Sequence, residues 1–303
     1  MGLLILFSFA LVVLIGVSTV VLARRMTHPH RKSYAFAVAQ KLPLDPAQLQ
    51  LRSQEITLKY DDGTSAPAWV IEGEDGAGPL VVITHGWANC RYGALLKAAL
   101  YVPYAWRVVV YDVRGHGDST ARTTTLGGRE AEDLLALLDQ VEHEGKGVVL
   151  VGSSMGAVAT LLAAAQLSRG EASHRLVGVV VDGPYCSQLE PVVTHLRRDG
   201  LPAQPVAWLA HQLLRLTVRG YGQYDGVRAA RELRCPLLVL HGTDDPICSI
   251  DSGRAVAQVA GRGRLIEFAG AGHGGLWSFD RERYAQALGA FMREAGDYAA
   301  EAR

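Results

Sequence analysis

The sequence carries no net charge: 30 Lys and Arg stand against 30 Asp and Glu. Nothing therefore supplies the positive field that holds a nucleic-acid backbone. Lysine is scarce, five of those 30 basic residues, which reads as codon bias rather than a functional signal. Cysteine is scarcer still. Cys90, Cys186, Cys235 and Cys248 lie far apart with no C-x-x-C pair, so neither a zinc site nor a disulfide-stapled small fold is expected. Repeats and low-complexity tracts are missing, and the composition excludes disorder and a coiled coil. What remains is a chain of 303 residues, 49% hydrophobic and 20% charged. Set apart from its apolar N-terminus it still offers roughly 250 residues, enough for one large α/β domain or two small ones.

Charge is absent altogether from Gly2 to Ala23, GLLILFSFALVVLIGVSTVVLA. As a helix rising about 1.5 Å per residue this run spans roughly 33 Å, enough to cross a hydrocarbon core. No acidic side chain appears before Asp45, whereas Arg24, Arg25, Arg31, Lys32 and Lys41 follow the run. By the positive-inside rule that basic flank stays in the cytoplasm and the N-terminus faces out. Two other readings compete: a signal peptide cleaved after Val21-Leu22-Ala23, and a helix buried in a soluble fold. A signal peptide wants a basic n-region and a shorter apolar stretch, and both are missing. The expectation is a retained single-pass anchor in the cell membrane over residues 1–23, with the lipid bilayer as partner of residues 2–23. A basic, polar juxtamembrane linker interrupted by Pro29, Pro43 and Pro46 covers 24–53, and a globular domain covers 54–303.

Glu55 to Tyr60 alternates as a half-buried strand does, Asp61-Asp62-Gly63 makes a turn, and Ala66 to Ile71 returns as a second strand. Short apolar runs follow at Leu80–Thr84, Arg107–Tyr111, Gly147–Val151, Leu176–Val181, Pro236–Leu240 and Leu265–Phe268. Fully apolar strands suit a parallel sheet covered on both faces. Helical patterns fall between them, clearest over Gly128–Val141 and Ala157–Leu167. This alternation predicts a doubly wound, mostly parallel α/β architecture. The connection 184–234 is longer than the rest and includes the amphipathic stretch Pro205–Arg219, which predicts a small helical cap over the sheet's C-terminal edge.

Gly152-Ser153-Ser154-Met155-Gly156 fits G-x-S-x-G. With 33 Gly and 14 Ser in the chain, chance supplies ~0.2 such matches, so the string alone says little. Its context says more: the strand Val148–Val151 precedes it and a helical pattern opening at Ala157 follows. A strand turning sharply into a helix strains and exposes the middle residue, and the flanking glycines leave room for the turn. Ser154 is thereby the candidate nucleophile, and a plain helix-capping turn is the alternative.

A serine at neutral pH needs a base, and the base needs an orienting carboxylate. Around such an elbow, nucleophile, acid and histidine follow in that chain order. Only one of the ten histidines lies beyond residue 241: His273, in the glycine-rich run Ala269–Gly275. For the acid, His241-Gly242-Thr243-Asp244-Asp245 places two carboxylates past a strand end, with Asp245 preferred and Asp244 the alternative. His241 reads as structural. An oxyanion needs backbone N–H donors. Met155, after the nucleophile, supplies one and Trp87, in the loop after the third strand, the other. The Trp87 ring would either wall an acyl pocket or simply pack, and His85 would support the loop.

These segments resemble the α/β-hydrolase fold family over about residues 54–295. His85-Gly86-Trp87 is similar to the family's oxyanion loop and Asp112-Val113-Arg114-Gly115-His116-Gly117-Asp118-Ser119 to its D-x-RGHG-x-S turn. His241-Gly242-Thr243-Asp244-Asp245 is similar to its acid motif, and Gly272-His273-Gly274 to its histidine loop, all in family order. The nearest likeness is to the membrane-anchored bacterial subgroup related to serine aminopeptidase-like and acyl-ester hydrolases. The resemblance places the acid at Asp245 and makes His116 structural. It implies a serine hydrolase of carboxylic or thio-esters working through an acyl-enzyme, on a small-molecule ester or acyl substrate and without cofactor or metal. A peptidase or acyltransferase with the same residues, or a catalytically silent membrane-tethered binding module, are the other readings. Serine at 154 disfavours haloalkane chemistry, and no large lipase lid is evident. The scattered Glu190, Asp199, Asp225 and Glu232 give no support to the paired acids that hold a peptide's free amine.

Overall fold

The computed structural model describes residues 1–141, 144–170, 175–198 and 200–301. Its frame is one eight-stranded sheet: β1 (Ser53–Lys59), β2 (Ser65–Glu72), β3 (Leu80–Thr84), β4 (Arg107–Tyr111), β5 (Val148–Ser153), β6 (Leu176–Asp182), β7 (Leu237–Gly242) and β8 (Gly263–Phe268). The spatial order is β1-β2-β4-β3-β5-β6-β7-β8. The β1–β2 and β2–β4 pairings are antiparallel and the other five parallel. All eight expected strands are present, shifted at most a few residues at their ends. Each central strand is buried on both faces, so alternation shows only in which core a residue enters. Leu80 and Val82 join the core on one face, Val81 and Ile83 the core on the other.

The first face is covered by α4 (Gly128–Gln140), α5 (Met155–Arg169), α8 (Gly226–Arg231) and α9 (Ile250–Val259). The second is covered by α3 (Arg91–Ala98) and α11 (Arg281–Glu301). β6 carries a register shift where Val148 faces Leu176 and Val149 faces Gly178. At Gly178 the missing side chain makes room for Phe291 of α11, since a Cβ there would stand 2.8 Å from the ring. The segment 184–234 holds α6 (Glu190–Arg198) and α7 (Val206–Thr217) ahead of α8; Asp199, weighed above as a cap acid, lies outside the described residues.

The N-terminal helix α1 runs from Gly2 to Thr27, past the expected end of the apolar run. Residues 2–14 are exposed throughout. Its last turns differ, because Thr19, Ala23, Met26 and Thr27 form a buried stripe at helical spacing, and α1 packs against α7. The stretch read as a linker also carries structure. It holds α2 (Tyr34–Ala39), with Ala37 fully buried, and a 3-10 turn over Pro46–Leu49 capped by Asp45. Pro46 opens the 3-10 turn, where a missing N–H costs nothing, rather than keeping the chain loose. Thr124 N–H donates to the Thr27 carbonyl and the Arg31 guanidinium to the carbonyls of Ser119 and Ala121, which draws the segment onto the domain.

Phe291 is 1% exposed and its ring fills the space over Gly178. Phe291→Ala is expected to lower unfolding free energy by about 3–5 kcal/mol, measured by urea unfolding followed by tryptophan fluorescence.

Candidate active site

β5 delivers the chain to Ser153, and α5 starts two residues later, at Met155. Between them Ser154 adopts φ 52° and ψ −117°, a strained conformation for a residue with a Cβ. The neighbours explain how it is held. A Cβ on Gly152 would come within 2.3 Å of the Gly156 carbonyl oxygen, and one on Gly156 within 2.2 Å of the Thr84 carbonyl oxygen. Only glycine fits at either place. The Ser154 N–H donates to the Asp182 carbonyl at 2.8 Å, fixing the turn to the end of β6.

Ser154 Oγ lies 2.9 Å from His273 Nε2, and His273 Nδ1 lies 2.7 Å from Asp245 Oδ2. The structure thus brings together the three side chains singled out from sequence, 119 and 28 residues apart along the chain. Asp245 Oδ1 accepts from the N–H groups of Ile247 and Cys248 at 2.8 and 2.9 Å. Burial alone would raise the Asp245 carboxyl. Hydrogen bonds from His241, His273 and the Cys248 N–H outweigh it and hold the group well below the usual carboxylate range. It is therefore ionised at neutral pH, and with Nδ1–H donating to it, His273 presents Nε2 to the serine as an acceptor. Asp244 is exposed and accepts from its neighbour Thr243, so of the two carboxylates only Asp245 meets the imidazole.

Met155 is the first residue of α5, where an N–H has no partner inside the helix. The Trp87 N–H follows Gly86, at which a Cβ would stand 3.4 Å from Ser154 Cβ. Neither N–H is bonded among the described residues, so both remain as donors next to the serine. The Trp87 ring faces elsewhere: its Nε1–H donates to the Met26 carbonyl at the end of α1, at 3.0 Å.

The other histidines nearby have structural roles. His85 Nε2 accepts from the Val113 N–H at 3.0 Å while Nδ1 donates to the Gly86 carbonyl at 2.9 Å. Burial, reinforced by His116, pushes its pKa down to about 3, which keeps it neutral and bracing the loop. His116 Nδ1 donates to the Arg114 carbonyl. Within the same turn Asp112 accepts from the N–H groups of Arg91 and Asp118. His241 Nε2 donates to the Cys248 carbonyl at 3.0 Å and lies 3.5 Å from Asp245 Oδ2.

Sequence reasoning missed two features here. Cys248 is fully buried beside Ser154, and burial pushes its thiol well up, so it stays protonated. Asp245, Cys248 and His273 place donor atoms within 4.8 Å of one another. Both ring nitrogens of His273 are already engaged, by Asp245 and Ser154, so the cluster is built as a hydrogen-bond relay rather than a ligand set. The second feature lies beneath the elbow. Lys97 of α3, 5% exposed, donates to Asp182 Oδ2 at 2.5 Å and to Ser153 Oγ at 2.9 Å.

Removing one partner of a buried ion pair leaves the other charge uncompensated. Lys97→Met is accordingly expected to cost about 3–5 kcal/mol of stability, whereas the double change Lys97→Met with Asp182→Leu recovers most of that loss. Thermal unfolding of the two variants against the parent checks the difference.

The Alpha/beta hydrolase family profile matches residues 81–287. Among curated proteins, YqkD of Bacillus subtilis (strain 168), of uncharacterized function, is 27% identical over 226 residues, covering 72% of each chain. A bifunctional esterase/perhydrolase of Acinetobacter calcoaceticus is 24% identical over 272 residues, covering 71% of this chain and 92% of its own. Among solved structures, the Pyrococcus furiosus esterase Pf2001 superposes with a TM-score of 0.63 at 20% identity, over 82% of this chain and 95% of its own. A bacterial membrane phospholipase A superposes with a TM-score of 0.59 at 18% identity, over 97% of each chain. With that profile spanning strands β3 to β8, the elbow and the histidine loop, the chain belongs to the alpha/beta hydrolase family.

Proposed function

We propose that the protein is a serine hydrolase of carboxylic esters, held at a membrane by α1. The observation that carries the reading is the relay Asp245–His273–Ser154, closed by hydrogen bonds of 2.7 and 2.9 Å onto a strained serine. Ser154 Oγ attacks the ester carbonyl as His273 Nε2 takes its proton. Asp245 fixes the imidazole tautomer and stabilises the imidazolium that forms. The N–H groups of Met155 and Trp87 receive the oxyanion, placed where negative charge develops. His273 returns its proton to the leaving alcohol, then activates the water that releases the acid from the acyl-serine. The esterase names of the Acinetobacter relative and the Pyrococcus neighbour point to the same substrate class.

The anchor reading rests on the helix Gly2–Thr27, apolar and long enough to cross a membrane and exposed throughout residues 2–14. The basic residues from Arg24 to Lys41 would keep the hydrolase domain on the cytoplasmic side. The membrane phospholipase neighbour, which matches over 97% of this chain, supports an anchored arrangement.

A fluorophosphonate probe should label the wild type and not Ser154→Ala. Ser154→Ala and His273→Ala should each lower kcat on p-nitrophenyl acetate by about 10³-fold or more with the fold intact. Near wild-type turnover in either variant sinks the assignment. Asp245→Asn should be severely impaired, because the imidazole loses its orienting acceptor, while Asp244→Asn stays within roughly tenfold of wild type. The reverse ranking on the same ester would move the acid to Asp244.

A further inference from the structure

The apolar run of α1 is too short to cross a bilayer clear of the domain it carries. Its freely exposed part, Gly2 to Leu14, rises roughly 20 Å as a helix, against a hydrocarbon core of about 30 Å. The shortfall of about 10 Å corresponds to the next two turns. There the buried stripe begins at Thr19 and the helix lies against the domain through α7. For α1 to span, whatever is packed on those turns must enter the membrane with it.

The composition of α7 suits that depth. It turns Ala207, Ala210 and Leu214 into the core shared with Ala23 and Met26 of α1. Its other side leaves Trp208 51% and Leu216 86% exposed, with Leu201 51% exposed just ahead of the helix. In water these are large apolar groups without cover. At a bilayer surface a tryptophan sits at headgroup level, leucines enter the acyl boundary, and arginines extend toward phosphate. Arg215 and Arg219 are both exposed. No acidic residue occurs from Gly200 to Tyr224, nor from Met1 to Leu44. Two acid-free segments, remote in sequence, are therefore packed against each other, each with exposed apolar side chains and basic residues beside them.

The end of α1 reaches the loop beside the serine. Met26 accepts from the Trp87 indole, Gly86 abuts Ser154, and Met155 lies in one apolar cluster with Met26, Ala207 and Leu214. We infer that α7 seats beside α1 in the interfacial layer of a lipid bilayer, and that the ester reaching Ser154 is drawn from a bilayer amphiphile rather than from bulk water. This deepens the ester-hydrolase and anchor readings above and rests on both.

Two measurements on the full chain in phosphatidylcholine/phosphatidylglycerol vesicles test it. In the first, wild type and Trp208→Phe are compared in vesicles with plain or brominated acyl chains. The difference in emission between them isolates Trp208, and it should be lost in brominated lipid. Equal difference emission in the two lipids overturns the docking. In the second, Leu216→Asp and Leu201→Asp are each assayed on a long-chain ester dispersed in the vesicles and on a short water-soluble ester. The ratio of the two rates, which cancels any loss of folded protein, should fall about tenfold. An unchanged ratio overturns the bilayer as the source of substrate. A wild type inert on both esters would instead sink the hydrolase reading, while the quenching still decides whether α7 meets lipid.

Discussion

The Ser154 N–H donates to the Asp182 carbonyl at 2.8 Å, joining the C-terminal ends of the neighbouring strands β5 and β6. With the Ser154 carbonyl accepting from the N–H groups of Ala157 and Val158, this bond helps offset the strain of a backbone at φ 52°. With it, Ser154 Oγ is fixed where His273 can meet it. The side chain of the same aspartate is held by Lys97, which also reaches the hydroxyl of Ser153. Main chain and side chain of Asp182 thus brace the elbow from two directions. Placing a charged pair in a dry sheet edge is costly, and here it sits against the one turn that must not relax.

Much of this edge was legible in the sequence, because its demands are local. A Cβ is excluded at positions 152 and 156 by carbonyl oxygens little more than 2 Å away, so the two glycines announce the turn. The uninterrupted apolar strands announced a sheet buried on both faces. His273 stood out as the only histidine after residue 241. The choice between Asp244 and Asp245 was harder, since adjacent residues share every local signal. What separates them is the turn into Ile247 and Cys248, whose N–H groups point at Asp245 and leave Asp244 in solvent.

Other features were illegible for a physical reason. Lys97 and Asp182 are 85 residues apart, and a lysine in an amphipathic helix ordinarily reads as solvent-facing. The contact between Trp87 and Met26 joins residues 61 apart; its acceptor is a backbone carbonyl, which leaves no mark in a sequence. The segment 24–53 read as a linker for its prolines and charge, yet Ala37 is buried and Arg31 is spent on carbonyls of the domain. Composition registers polarity, not which partner the polarity has found.

The buried stripe at the end of α1 also bears on where the folded domain begins. Thr19 and Ala23 belong to the apolar run by composition, and Ala23 belongs to the domain's core by contact. The apolar run and the folded domain therefore overlap within one continuous helix instead of meeting at a joint. A peptidase cutting after Ala23 would sever that helix through its packed half and uncover the alanines of α7. The folded part therefore has no clean upstream edge at Ala23, since its packing on α1 already begins inside the apolar run, at Thr19.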